Sequence, residues 1–249
     1  MGAEFSSEAV VLRRSNTGEA DRRLTLLTRS HGKIDAIAKG ARKGGSRLAG
    51  SSEPLVHAVF TFAEGRARRF VTQVQPVTSF PDIRSDYDKM MAATALAELI
   101  AVSVPYESPQ FEDDSVFVLF LSALTELGKA QDWKAALVWA ESKLMDAEGI
   151  HPEWTTCAVS DRPLSDNPAF VSPAAGGYVE ASLAGQFDDR ILVKAETLIA
   201  LKKVALLEAA PMRIAGADEC LKVLFTFWRH GLENRLPANE AVIQGLPAT

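Results

Sequence analysis

Between residues 9 and 75, apolar and polar side chains alternate at period two in short runs. That spacing turns one face of a strand inward and the other outward. Ala9-Val10-Val11-Leu12 predicts a first strand, closed by a turn at Ser15-Asn16-Thr17-Gly18. Leu24, Leu26 and Thr28 alternate with Thr25, Leu27 and Arg29, and Ile34 and Ala36 alternate with Asp35 and Ile37. Ser30-His31-Gly32-Lys33 lies between these runs, so the pair predicts a β-hairpin. Pro54–Ala63, rich in β-branched and aromatic residues, predicts a fourth strand. Glu64–Arg68 is a tight connection, and Phe70–Gln75 predicts a fifth strand, ended by Pro76 and Pro81. Five short strands in so short a stretch predict a small closed barrel, since closure removes exposed edges. The oligonucleotide-binding (OB) five-stranded barrel is the best-known solution of that size; other small barrels give the same string.

After Pro81 the period changes to 3.6. Asp82 or Ser85 is a candidate cap for a helix running to about Val104, with Met91, Ala95, Leu99 and Val102 on one stripe beside Leu96 and Ile100. Pro105 and Pro109 break it. Asp113 or Asp114 is a candidate cap for the next helix, whose apolar face holds Val116, Phe117, Phe120, Leu121, Leu124 and Leu127, with Gly128 as its stop. Asp132 opens a third helix with Ala136, Leu137, Ala140, Leu144 and Met145 inward. Residues 153–186 are loop-rich, residues 189–208 and 213–232 predict two more helices, and residues 236–249 predict a loosely attached tail. The expected fold is thus two-domain, β then α. A five-stranded OB barrel occupies residues 1–80 and a helical bundle residues 81–249.

Charge sharpens this division. The whole chain of 249 residues carries a net charge of −5. Residues 1–80 hold 13 Lys and Arg against 7 Asp and Glu, a balance of +6, which leaves −11 on residues 81–249. A basic front on an acidic body points to one part that meets a polyanion. Screening over about 8 Å keeps the acidic body from cancelling it. Lys39-Gly40-Ala41-Arg42-Lys43-Gly44-Gly45-Ser46-Arg47 follows the hairpin. It has almost nothing apolar to bury, and its glycines let backbone approach phosphates closely. A solvated flexible loop has the same composition.

Other chemistries lack a visible seat. No phosphate-binding GxxxxGK[ST] or GxGxxG run follows a predicted strand, and no serine sits in a GxSxG elbow. His31, His57, His151 and His230 are far apart and lack ligand partners at helical spacing. Asp113-Asp114 and Asp188-Asp189 are more cheaply explained as helix caps than as metal sites. Cys157 and Cys220 are too few for a disulfide framework. No apolar run is long enough to span a bilayer and no leader pattern is present, so a soluble cytoplasmic protein is expected.

Several stretches then align together. Glu8–Arg13, Gly18–Asp21, Leu27-Thr28, Gly32-Lys33, Ala38–Arg42 and Ser46-Arg47 resemble, in order and spacing, the N-terminal domain of the RecO family of bacterial recombination mediators. The resemblance continues through Asp86-Tyr87, Ala97–Leu99, Glu141–Leu144 and Gly149–Pro152. It implies an OB barrel followed by a helical domain, and a non-enzymatic protein in DNA repair. The implied partners are single- and double-stranded DNA, RecR, the acidic C-terminal tail of single-strand-binding protein and, indirectly, RecA. The implied activities are annealing of complementary strands and help in loading RecA onto coated DNA. Many members carry a four-cysteine zinc finger beginning at the position of Cys157. Here the second ligand position is Ser160, and Ala174–Val179 contains no Cys or His. Tetrahedral zinc needs four N or S ligands. A degenerate finger-like insertion without metal or other cofactor is therefore expected, shaped by packing of Trp154, Phe170 and Tyr178.

The expected DNA contacts are Arg13, Arg14, Arg22, Arg23, Lys33, Lys39, Arg42, Lys43, Arg47, Arg66, Arg68 and Arg69. If they neutralise six phosphates, the salt slope should be about −5 for duplex and about −4 for single strands. Aromatic side chains are sparse, and Phe60, Phe62 and Phe70 suit a core as well as a platform, so binding without sequence preference is expected. Lys143, Lys202, Lys203 and Arg213 are candidates for holding an acidic tail peptide. The rival reading is an interaction scaffold whose basic loop binds an acidic protein. A hydrolase acting on nucleic acid lacks a convergent acid or histidine cluster.

Overall fold

A computed structural model of the chain describes residues 3–106, 114–232 and 234–247. By internal contacts the chain divides into two compact units, Met1–Gly128 and Lys129–Thr249.

In the first unit, β1 (Glu4–Thr17), β2 (Asp21–Thr28), β3 (Gly32–Ala38), β4 (His57–Glu64) and β5 (Arg69–Thr78) form a closed barrel in the order β1-β2-β3-β5-β4. β1 is far longer than its apolar run, because it closes the barrel. Ala9 and Val10 each pair with both β2 and β4. A register shift between Val11 and Arg13 bends the strand there. Ala9, Val11, Leu24, Leu26, Ile34, Ala36, Phe60 and Phe62 fill the interior. Phe60 and Phe62 are therefore core rather than platform. The weakest seam is the parallel β3–β5 pairing, with two registered pairs, Ala36 with Arg69 and Ile37 with Phe70.

The segment between β3 and β4 holds the short α1 (Leu48–Ser51), and α2 (Pro81–Arg84) follows β5. α3 (Tyr87–Ser103) is capped by Asp86, whose carboxylate accepts from the backbone N–H groups of Asp88 and Lys89. The expected caps Asp82 and Ser85 belong instead to α2 and its exit. Nearly all of Ala92–Ala101 is buried, more than one stripe, because its alanines allow close approach around the helix. α4 (Ser115–Lys129) runs through Gly128, the expected stop. The Gly128 carbonyl accepts from Lys89 Nζ at 2.7 Å, and a Cβ there would lie 3.8 Å from Asp82. Asp113 and Pro109, named above as cap and breaker, lie outside the described residues. The Asp114 carboxylate pairs with Arg29 at 2.8 Å.

In the second unit, α5 (Trp133–Ala147) is capped by Asp132 as expected. It packs against α6 (Ala195–Ala205) and α7 (Ala217–Leu232). Between α5 and α6 the loop-rich stretch contains β6 (Ala169–Ser172) and β7 (Gly177–Val179). β8 (Ile191–Val193), where a helix was expected, completes a small sheet in the order β7-β6-β8. Its loops are tied by carboxylates. Asp166 accepts from the Tyr178 hydroxyl and the Ala181 N–H, and Asp189 from the Ser172 hydroxyl and the Ala174 N–H. Cys157 Sγ accepts from the Glu180 N–H. Trp154 and Tyr178 are buried and Phe170 half-buried. Among the described residues no three His, Cys, Asp or Glu side chains form a metal-capable group. The expected loose tail instead contains α8 (Pro237–Gln244), anchored by buried Leu236, Val242 and Leu246.

Candidate nucleic-acid interface

The outward face of β1-β2-β3 follows from the register. Arg13 sits opposite Thr25, which sits opposite Asp35; Ser15 sits opposite Arg23, which sits opposite Ile37. Asp35 organises this face, accepting from Thr25 at 2.8 Å and from Arg23 at 2.6 Å. That ion pair raises the Arg23 pKa above its ordinary value.

Beside β3, where its pairing with β5 is short, the surface opens into a cleft of about 710 Å³. Among the described residues, Arg23, Lys33, Arg66, Arg68 and Arg69 line it against two acids, Asp35 and Glu64. One rim is the turn joining β4 to β5, closed by a 2.9 Å hydrogen bond from the Gly65 N–H to the Arg68 carbonyl. A Cβ on Gly65 would lie 2.9 Å from that carbonyl and 3.1 Å from the Phe70 ring. The tightness of this turn throws Arg66 and Arg68 into solvent.

The Phe70 ring also meets Lys39, whose Nζ lies 4.3 Å from its centroid. The glycine-rich segment is therefore joined to the cleft rim. It is held from the other side as well. Gly40 N–H donates to Asp21, Arg42 N–H to the Ala20 carbonyl, and the Arg42 guanidinium to the Glu19 carbonyl. Ala41 is fully buried beneath it.

The cations named from sequence fall into two sets. Arg13, Lys39, Arg42, Lys43, Arg47, Arg66 and Arg68 are exposed and have no ion pair among the described residues. The others have partners inside the unit. Arg14 and Arg22 both pair with Glu53, and Arg22 also donates to Ala49 and Ser52. Arg69 lies 3.6 Å from Glu64. Lys33 is 4% exposed, and its ammonium donates to the Ala101 carbonyl at 2.7 Å. Arg22 and Lys33 brace the barrel rather than face solvent. In the second unit, Lys143 donates to the Ala205 carbonyl, while Lys202, Lys203 and Arg213 are exposed near Leu206 and Met212. Sequence reasoning missed Tyr106, which lines the cleft from beyond the barrel.

Together these features define a barrel of the oligonucleotide-binding type, with a cation-rimmed cleft beside its β3–β5 seam, followed by a helical region. The family models for Recombination protein O, N terminal and C terminal, match residues 1–80 and 84–240. The chain belongs to the RecO family. DNA repair protein RecO of Roseiflexus sp. (strain RS-1) is 34% identical over 237 residues, covering 92% of this chain and 81% of that protein. The proteins of that name from Heliobacterium modesticaldum and Desulfitobacterium hafniense (strain DSM 10664 / DCB-2) are 37% and 35% identical, each over 70% of this chain. The matched stretch spans 64% and 63% of those two relatives' own lengths. No helix among the described residues is long and apolar enough to cross a membrane.

Proposed function

We propose that this chain acts in DNA repair, the process its relatives' names carry, as a non-enzymatic recombination mediator, and that the barrel holds DNA by its phosphates. The observation that carries this reading is the continuity of exposed cations from the Gly65–Arg68 turn, across Phe70 and Lys39, into the 39–47 segment. Phosphates bound there release counterions, so affinity falls steeply with salt. Annealing needs no covalent step; it needs two strands held close with their repulsion screened and their bases accessible. In the same reading the chain works with RecR to help RecA load onto strands coated by single-strand-binding protein. The acidic tail of that coating protein would dock on the helical region, where Lys202, Lys203 and Arg213 flank exposed Leu206 and Met212.

The test is annealing of complementary oligonucleotides, bare and coated with single-strand-binding protein. Acceleration that fades with salt and is lost in an Arg42→Glu/Lys43→Glu variant is expected. Unchanged annealing at low salt, with no DNA binding, would refute the reading and leave a scaffold that binds an acidic protein.

A further inference from the structure

Tyr106 follows α3 and does not belong to the barrel, yet it lines the cleft. Its backbone forms a parallel bridge with Lys33, extending the β3 edge beyond the short β3–β5 seam. Lys33 Nζ lies 4.3 Å from the Tyr106 ring centroid and is itself held by the Ala101 carbonyl at 2.7 Å. The ring is thus fixed by its backbone and by a buried cation on one side. Tyr106 nevertheless remains 55% exposed. Of the barrel's own phenylalanines, Phe60 and Phe62 are buried in the core, while Phe5 and Phe70 are half-buried, Phe70 beneath Lys39. Among the described residues Tyr106 is the one aromatic residue lining the cleft.

We propose that Tyr106 is a stacking platform for one unpaired base, making the cleft a single-strand site within a surface that otherwise contacts only phosphates. This rests on the DNA-binding reading above and adds a determinant for the kind of strand. A base inside a duplex has both faces covered by its neighbours, so it has no face to offer a fixed ring. An unstacked base in a single strand has one, and every base has a π-face, so the preference is for strandedness rather than sequence. Arg66 and Arg68 on the opposite rim would take the flanking phosphates. The Lys33 ammonium polarises the ring without competing for phosphate, because its bonds lie inside the fold.

The experiment measures equilibrium binding of the full chain to three probes: an oligothymidylate, an abasic deoxyribose-phosphate strand of equal length, and a duplex. The variants are Tyr106→Leu, Tyr106→Phe and Arg66→Glu/Arg68→Glu. Tyr106→Leu should weaken oligothymidylate binding by about 5- to 150-fold, the range of one lost base stack. It should leave the abasic strand and the duplex unchanged, and Tyr106→Phe should bind like the parent. Equal weakening of all three probes by Tyr106→Leu would overturn the proposal by showing a structural role. So would no change with any probe while Arg66→Glu/Arg68→Glu still loses DNA; the phosphate-binding reading would then stand alone. If the arginine variant also binds normally, both readings fail together.

Discussion

The Lys33 ammonium donates to the Ala101 carbonyl, tying β3 to the last turn of α3. The last turn of a helix leaves carbonyls without intrahelical donors and carries partial negative charge. A buried cation satisfies one such carbonyl while its own desolvation is offset. Replacing Lys33 with Met removes a charge-assisted bond, so the first unit should lose about 1.5–3 kcal/mol. Urea unfolding of the variant against the parent checks this. An unchanged midpoint would mean the bond contributes nothing.

Arg22 should behave like Lys33 and unlike Arg66. Its guanidinium binds Ala49, Ser52 and Glu53 and is half-buried. Arg22→Ala should lower the melting temperature of the first unit. Its DNA affinity per folded molecule, measured well below that melting point, should stay within about twofold of the parent. A large loss of affinity with unchanged stability would reverse this assignment.

The sequence shows which side chains are basic, but not which of them already have partners. The alternation around Leu24, Ile34 and Phe60 was enough to read the barrel. The resemblance at Ala38–Arg42 points to the basic segment as the expected DNA contact. Lys33 and Arg22 could not be sorted, because their partners Ala101 and Glu53 depend on how distant segments meet. Tyr106 was hidden for the same reason: it reaches the cleft through tertiary pairing with Lys33, not through a strand pattern. In the sequence, β8 reads as helix because Ile191 and Leu192 run straight into the apolar face of α6. A three-residue strand has no room to display a period.

Glu141 lies buried in α5, and burial pushes its carboxyl up to about 8, with the Trp228 indole pulling the other way. In the unfolded chain an ordinary glutamate titrates near 4.3. Below that pH both states are protonated and the fold has its full stability. As pH rises toward 8 the unfolded chain releases a proton that the fold retains. Stability then falls at about 1.4 kcal/mol per pH unit until the folded carboxyl ionises. Glu141→Gln should flatten this slope. Chemical denaturation of the parent and variant between pH 5 and about 8.5 tests it; parallel curves would contradict it.

Gly177 passes so close to Glu153 that a Cβ would lie 2.2 Å from the Glu153 carbonyl oxygen. Gly177→Ala must push β7 away from that backbone and should destabilise the second unit by about 1–3 kcal/mol. Thermal unfolding reads this directly.

The carboxylates Asp166 and Asp189 hold the β6–β7 region through side-chain and backbone donors. A chelator should therefore leave the melting temperature unchanged, whereas Asp189→Ala should lower it. Unfolding by chelator would show that metal holds the segment.

DNA binding through phosphates at the cleft rim and the adjoining basic segment is the role proposed for the barrel. Its most direct test is the salt dependence of duplex affinity for the parent and for Arg66→Glu/Arg68→Glu. The prediction is a steep negative slope in the parent, shallower by about 2 in the variant, with both proteins equally stable. Superimposable salt curves for the two proteins would contradict it.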